Sequence, residues 1–138
     1  MARASELLGD KWTLLILREA FYGVTRFEDV RADLAAPRAA IASRLRTLVR
    51  EKILSKTPYR EPGDRKRFEY QLTPKGRGLA YVMIALLEWG DEFLRNDPAP
   101  LELRDAESGK LLKIALATPD GEVRPLSAIR QKLRKSSR

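Results

Sequence analysis

Apolar residues with helical spacing dominate the start of the chain. They recur through the segment SELLGDKWTLLILREAFYG (residues 5–23), where they include Leu7, Leu8, Trp12, Leu15 and Ile16. Because this segment is apolar on more than one side, it predicts a central, largely buried helix. Gly23 is expected to end that helix as a C-terminal cap residue.

A short second helix is predicted over roughly residues 26–34. Thr25 and Glu28 have capping-box spacing, with Thr25 as N-cap and Glu28 reaching back to it. The apolar residues of this helix follow at helical spacing and are Phe27, Val30 and Leu34.

A third helix is predicted over about 37–51, after a link of only about three residues that is typical of a helix-turn-helix. Pro37 is expected at its first position, where a missing N–H costs nothing. The apolar face consists of Ile41, Leu45 and Leu48. The opposite face is small and consists of Ala39, Ala40, Ser43 and Thr47.

Two strands then predict a β-hairpin, the wing, over about 54–72. Residues 54–57 have strand character, and residues 68–72 alternate apolar and polar side chains as a half-buried strand does. Pro62-Gly63 fits the central positions of a type II turn. The basic residues at the tip are Arg60, Arg65, Lys66 and Arg67.

A long helix is predicted over about 74–94, with Thr73 as N-cap and Pro74 at its first position. Its broad apolar stripe contains Leu79, Val82, Met83, Leu86, Trp89 and Phe93. A helix that is apolar over most of its circumference needs partners on two sides. One partner is its own domain, and the second can be another copy of the chain.

The last part of the chain reads as a separate extension. Residues 96–100 have the composition of a linker. Residues 101–105 and 111–118 are strand-like and are joined by a predicted turn at 107–110. A third strand is expected near residues 122–124, followed by a basic tail.

Composition limits the chemistry that the chain can carry. It has 138 residues, 43% of them hydrophobic, with no cysteine and no histidine. Their absence excludes disulfides, thiolate metal sites and the commonest general base. No carboxylates converge in a catalytic pattern, so we expect no enzymatic activity, no metal and no cofactor. Charges interrupt every early apolar segment, which favours a cytoplasmic protein without a membrane segment.

Charge is distributed in blocks, and this points to a polyanion as partner. The net charge is +8 overall, with +7 in residues 36–67 and +5 in residues 129–138, while the other segments are nearly neutral. The first block coincides with the third helix and the wing, so a surface for nucleic acid is predicted there.

The small face of the third helix suits double-stranded DNA. The major groove is about 12 Å wide, so a helix that enters it benefits from small residues. Ala39 and Ser43 permit this approach, and Thr47 lies deeper along the same face. Arg38 and Arg46 flank these residues, and either could reach a phosphate or read a guanine.

Two further predictions complete this surface. Arg44 lies nearer the core edge of the third helix and could be structural. The wing residues Arg60, Arg65, Lys66 and Arg67 are expected to contact phosphates or to enter the adjacent minor groove.

The chain resembles the HxlR-type bacterial transcriptional regulators. The matching stretches are LLGDKWTLLILREAFYGVTRFEDV, SRLRTLVREKIL, YQLTPKGRGL and LLEWGDEFL, which together cover roughly residues 5–95. The resemblance implies a homodimeric DNA-binding regulator, with the third helix in the major groove and the N-terminal and long C-terminal helices forming the dimer interface. Many members carry an N-terminal sensor cysteine. This sequence contains none, so thiol sensing is not carried over.

The predicted fold class is mainly α with a small β-wing (α+β): a winged helix-turn-helix with a C-terminal dimerisation helix and a small β-rich extension. Residues 1–95 are expected to form the DNA-binding and dimerisation domain, and residues 96–138 the extension. The predicted function is sequence-specific transcriptional regulation. The alternative is a winged-helix module that binds an acidic protein without sequence-specific DNA binding.

A small-molecule effector remains open at this point. Six aromatic residues could line a pocket at the dimer interface or simply pack in the core: Trp12, Phe21, Tyr22, Tyr81, Trp89 and Phe93.

Overall fold

A computed structural model describes residues 1–63 and 65–132, and it has the architecture of a winged helix. The helices are α1 (Ala2–Leu8), α2 (Lys11–Phe21), α3 (Phe27–Leu34), α4 (Arg38–Arg50), α5 (Pro74–Arg77) and α6 (Ala80–Phe93). The strands are β1 (Leu54–Tyr59), β2 (Arg67–Leu72), β3 (Leu116–Ala117) and β4 (Val123–Arg124). The predicted fold class, mainly α with a β-wing, is therefore confirmed.

Two compact units make up the chain, Met1–Met83 and Ile84–Arg138. The predicted domain boundary after residue 95 is a different division and stays a prediction. The core of the first unit is formed by Ile16, Leu17, Val30, Ala36, Ile41, Leu45, Leu48, Ile53 and Leu54. It includes the predicted apolar face of the third helix, so that face was assigned correctly.

The first predicted helix is divided in two. Gly9 separates α1 from α2, and the Asp10 side chain caps α2 by accepting a hydrogen bond from the Thr13 N–H at 2.9 Å. A β-carbon at Gly9 would lie 2.5 Å from the Ser5 carbonyl oxygen, so the chain turns where only glycine fits. Gly23 has φ +84° and follows Tyr22, the C-cap of α2, which agrees with the predicted helix end.

Both helices of the helix-turn-helix start one residue later than predicted. The predicted capping box is wrong, because Arg26 and not Thr25 is the N-cap of α3 and no side chain caps it. Glu28 instead pairs with arginines. Pro37 is the N-cap of α4, not its first residue, and its carbonyl accepts from the N–H groups of Ala40 and Ile41.

The wing is the antiparallel pair of β1 and β2, in register from Leu54 opposite Leu72 to Tyr59 opposite Arg67. Gly63 at its tip has φ +84°, which a type II turn requires at its third residue. The loop before α3 also joins the wing, since the Tyr70 N–H donates to the Thr25 carbonyl at 2.7 Å.

The predicted long helix 74–94 is interrupted between α5 and α6. Thr73 caps α5 as predicted, accepting from the Gly76 N–H at 3.0 Å, and Pro74 is the first residue. Gly76 packs so closely that a β-carbon would lie 2.2 Å from the Ile53 carbonyl oxygen. The turn at residues 78–79 follows, where Leu79 N–H bonds to the Gly76 carbonyl before α6 begins.

The second unit contains the extension. The predicted strands 101–105 and 111–118 meet only at the bridge between Arg104 and Leu111, with the Leu112 N–H donating to the Leu103 carbonyl. The predicted third strand is present as β4 and pairs with β3. Residues 133–138 of the predicted basic tail lie outside the described residues. Within the described ranges, no helix is both long and apolar enough to cross a membrane.

Candidate nucleic-acid interface

The four arginines of α4 differ in their partners. Arg38 pairs with Glu28 at 2.5 Å, Arg44 with Asp10 at 2.7 Å and Arg50 with the adjacent Glu51 at 3.3 Å. Arg46 is exposed, and across residues 1–63 and 65–132 it has no ion pair or side-chain hydrogen bond. Of the two flanking arginines predicted from the sequence, Arg46 is therefore the one whose five N–H donors are available to another molecule.

Arg44 has the structural role that its position suggested. Its Nε donates to Asp10 Oδ2 at 2.7 Å and its Nη2 to Oδ1 at 3.1 Å, a bidentate pair. Burial raises the pKa of Asp10, but the hydrogen bonds from Arg44 and Thr13 outweigh it and leave this pKa below the usual value. The pair fixes the middle of α4 to the N-terminus of α2.

Arg38 is held at the junction of α3 and α4. Besides its ion pair with Glu28, its guanidinium lies 4.7 Å from the centroid of the Phe27 ring. Hydrogen bonds from Arg38 and then Arg31 lower the pKa of Glu28. Arg38 is still 67% exposed in its side chain, so it can turn to a phosphate only by leaving a partner that holds it now.

The predicted small face of α4 is accessible to different degrees. Ala39 is exposed, whereas Ala40, Ser43 and Thr47 are half-buried. Ala39, Ala40 and Ser43 lie between Arg38 and Arg46 along the helix, and Thr47 follows Arg46. Such a face lets a partner approach the helix backbone closely without displacing long side chains.

The basic residues of the wing are exposed to solvent. Arg60, Arg65, Lys66 and Arg67 are all exposed. Lys56, which is not among the predicted contact residues, is also exposed, and its Nζ lies 4.1 Å from the centroid of the Phe68 ring on the neighbouring strand. The sequence signal for it is the polar run Ser55-Lys56-Thr57 in the first strand of the wing.

One cavity shows that α4 and the wing lie next to each other. Its volume is about 240 Å³, and Arg38 of α4 lines it together with Arg67 and Phe68 of the wing. The structure thus brings the start of α4 and the outer part of the wing to one surface of the first unit.

The residues predicted for the dimer interface separate into two groups. Leu79 and Met83 pack against the core of the first unit. The others are exposed on α6: Val82 by 42%, Leu86 by 47%, Trp89 by 55% and Phe93 by 62%. Residues 82, 86, 89 and 93 follow one helical stripe, and the Trp89 and Phe93 rings are in contact at 5.9 Å. Exposed apolar residues that are contiguous on one helix face are typical of a protein interface.

A second cavity, of about 430 Å³, lies within the second unit. It is lined by the C-terminal half of α6 and by the extension, including Leu87, Glu88, Leu103 and Leu112. The aromatic residues considered for an effector pocket do not line it.

Comparison with known proteins agrees with this geometry. Residues 7–98 match the family model described as HxlR-like helix-turn-helix. The HTH-type transcriptional regulator Rv3095 of Mycobacterium tuberculosis is 45% identical over 111 residues, which are 80% of this chain and 69% of that protein.

Solved structures of transcription factors also align with this chain. PA1607, assigned as a transcription factor, aligns with a TM-score of 0.80 at 30% identity, over 95% of this chain and 92% of its own. The regulator YodB from B. subtilis aligns with a TM-score of 0.59 at 27% identity, over 70% of this chain and 94% of its own. The chain therefore belongs to the HxlR-like helix-turn-helix family and is a transcriptional regulator of the helix-turn-helix type.

Proposed function

We propose that the protein is a homodimer that binds specific double-stranded DNA, with α4 in the major groove and the wing on phosphates or in the adjacent minor groove. The observation that carries this proposal is the state of the α4 arginines. Arg44 and Arg38 are engaged by Asp10 and Glu28, while Arg46 projects from an otherwise small face without a partner among the described residues. A bidentate contact from Arg46 to a guanine would use that freedom.

The exposed wing residues would supply the electrostatic part of the affinity. Each phosphate that Arg60, Arg65, Lys66 or Arg67 neutralises should add about −0.9 to the slope of log K against log salt concentration. Binding is therefore expected to weaken steeply with salt, while the sequence preference rests on α4.

The exposed stripe of α6 supports dimer formation. Val82, Leu86, Trp89 and Phe93 would leave water when two copies meet, at about 25 cal/mol for each Å² of apolar surface buried. A dimer places two α4 helices on half-sites about one or two turns of DNA apart. Since the bacterial relatives act on transcription, the compartment expected is the cytoplasm, where the DNA lies.

The proposal is tested by binding to a promoter fragment and to a scrambled fragment of equal length and composition at physiological salt. Specific regulation predicts at least about 10³-fold tighter binding to the promoter that carries the operator. Equal and weak binding to both would contradict it and would favour a module that binds an acidic protein through the same basic surface.

A further inference from the structure

The outer part of the wing has little apolar packing to fix its direction. In β1 only Leu54 is buried and only Tyr59 is half-buried, while residues 55–58 are exposed. In β2 no side chain is fully buried, and the half-buried ones, Glu69, Tyr70 and Leu72, lie toward the base. A two-stranded ribbon of this kind is marginally stable on its own. Something other than core packing must hold the tip.

Arg26 makes the contacts that do this. Its Nη1 lies 2.8 Å from Glu61 Oε1, near the tip of the wing. Its guanidinium lies 4.5 Å from the centroid of the Tyr59 ring at the end of β1. Its backbone forms an antiparallel bridge with Glu69 of β2. One residue at the start of α3 thus contacts both strands and the tip.

The negative charge of Glu61 is unexpected at this position if the wing binds DNA. On a surface that binds DNA, a carboxylate between basic residues repels phosphates, so electrostatics alone would disfavour it. Glu61 is 48% exposed and Arg26 45%, so the carboxylate is not needed to satisfy a buried cation. Its most direct use is to hold the wing to α3 through Arg26.

We propose that Arg26, Tyr59 and Glu61 form a strap, the wing strap, that sets the angle between the wing and α4. Arg26 is then a positioning residue for DNA binding and not a DNA contact. The inference rests on the proposed function, since an angle between wing and helix matters only if both meet the same DNA.

The first experiment compares the DNA affinities of two variants that each lose one negative charge. Glu61→Gln removes a negative charge from the wing and from the ion pair with Arg26. Glu69→Gln removes the same charge from β2 but keeps that ion pair, because Glu69 meets Arg26 through its backbone while its carboxylate accepts from Gln71 Nε2. Both variants should bind operator DNA more tightly if only charge matters. The strap predicts that Glu61→Gln binds roughly three- to tenfold more weakly than Glu69→Gln. Equal affinities of the two variants would overturn the proposal.

The second experiment needs no DNA. Amide hydrogen exchange of the wing strands should become several-fold faster in Glu61→Arg, which sets two arginines against each other. Combining it with Arg26→Glu restores the net charge of the native chain and an opposite-charge pair, but not the contact of a cation with Tyr59, and should recover the part of the protection that the ion pair provides. Exchange that is unchanged in the single variant, or not rescued in the double variant at an unchanged melting temperature, would overturn the strap.

The two proposals fail in different ways. If the native chain shows no preference for any DNA sequence, the proposed function is wrong, and hydrogen exchange still decides whether the strap holds the wing. If the native chain binds its operator and Arg26→Ala lowers the salt slope by about one, Arg26 neutralises a phosphate itself, and the positioning role is wrong.

Discussion

Arg44 of α4 and Asp10 of α2, 34 residues apart in sequence, are joined by two hydrogen bonds of 2.7 and 3.1 Å. The same Asp10 carboxylate caps α2 through the N–H and the hydroxyl of Thr13. One side chain therefore begins a core helix and orients the helix that carries Arg46. The proposed recognition of DNA bases by α4 therefore depends on the ion pair between Arg44 and Asp10.

Replacing Asp10 with alanine should lower the free energy of unfolding by about 1–2 kcal/mol. The lost cap accounts for most of it, because the pair with Arg44 is one-third exposed and contributes little. Arg44→Ala keeps the cap and should cost less, under about 1 kcal/mol. Urea denaturation of both variants measures the difference, and equal losses would show that the cap contributes nothing.

The lowered pKa of Asp10 predicts that the free energy of unfolding decreases at acid pH. Its pKa in the folded state lies below 3.8, the usual value for an aspartate, so the unfolded state binds the proton more readily. The contribution is fully present above pH 3.8 and is lost as pH falls through the folded-state value. Asp10→Asn should remove this part of the pH dependence while other carboxylates keep theirs. A pH profile unchanged in Asp10→Asn would refute the assignment.

Gly76 and Gly90 should respond in opposite directions to alanine. A β-carbon on Gly76 would meet the Ile53 carbonyl oxygen at 2.2 Å, so Gly76→Ala must displace α5 or the strand start. At Gly90 in α6, no described atom beyond the neighbouring residues and the backbone of the helix itself lies within 4 Å of the added carbon. Gly90→Ala should raise stability by about 0.5–1 kcal/mol. Thermal unfolding compares the two, and a neutral Gly76→Ala would contradict the close approach.

Leu86→Glu should dissociate the proposed dimer. Leu86 is 47% exposed at the centre of the α6 stripe, and a carboxylate there would be buried without a partner if two copies met. Leu111→Glu, at a similarly exposed leucine of the extension, serves as the control and should leave the dimer intact. Sedimentation gives the mass of each variant. A dimer that survives Leu86→Glu would place the interface elsewhere.

Arg46→Ala and Arg67→Ala should both weaken DNA binding without unfolding the protein, but in different ways. Loss of a base contact at Arg46 removes about 1–3 kcal/mol of preference at one position of the site. Loss of a phosphate contact at Arg67 weakens all sequences alike and lowers the salt slope by about one. Fluorescence anisotropy over a salt series separates the two. Affinity unchanged in either variant would remove that residue from the interface.

The sequence predicted the helices, strands and turns well where residues within a few positions of one another determine the local structure. The apolar face of α4, the wing, the turn at Gly63 and the Thr73 cap all follow from spacing or from turn and cap chemistry within a few residues. The Gly9-Asp10 pair carried a signal of the same kind for the break between α1 and α2, a glycine followed by a good N-cap residue.

The partners of the arginines could not be predicted in this way. Arg44 and Asp10 lie on different helices, and Arg26 meets Glu61 through a turn whose direction depends on the whole fold. A helical pattern assigns a residue to a face but does not say which distant side chain that face meets. For the same reason Glu28 was assigned to a local cap, whereas it pairs with Arg38 ten residues later.

Selection of bound sites from random double-stranded DNA tests the central claim most directly. The native chain should enrich an inverted repeat with half-sites about one or two helical turns apart, and Arg46→Ala should lose the preference at one position in each half-site while keeping the rest. A pool without any enriched sequence, or the same motif from Arg46→Ala, would contradict sequence reading by α4.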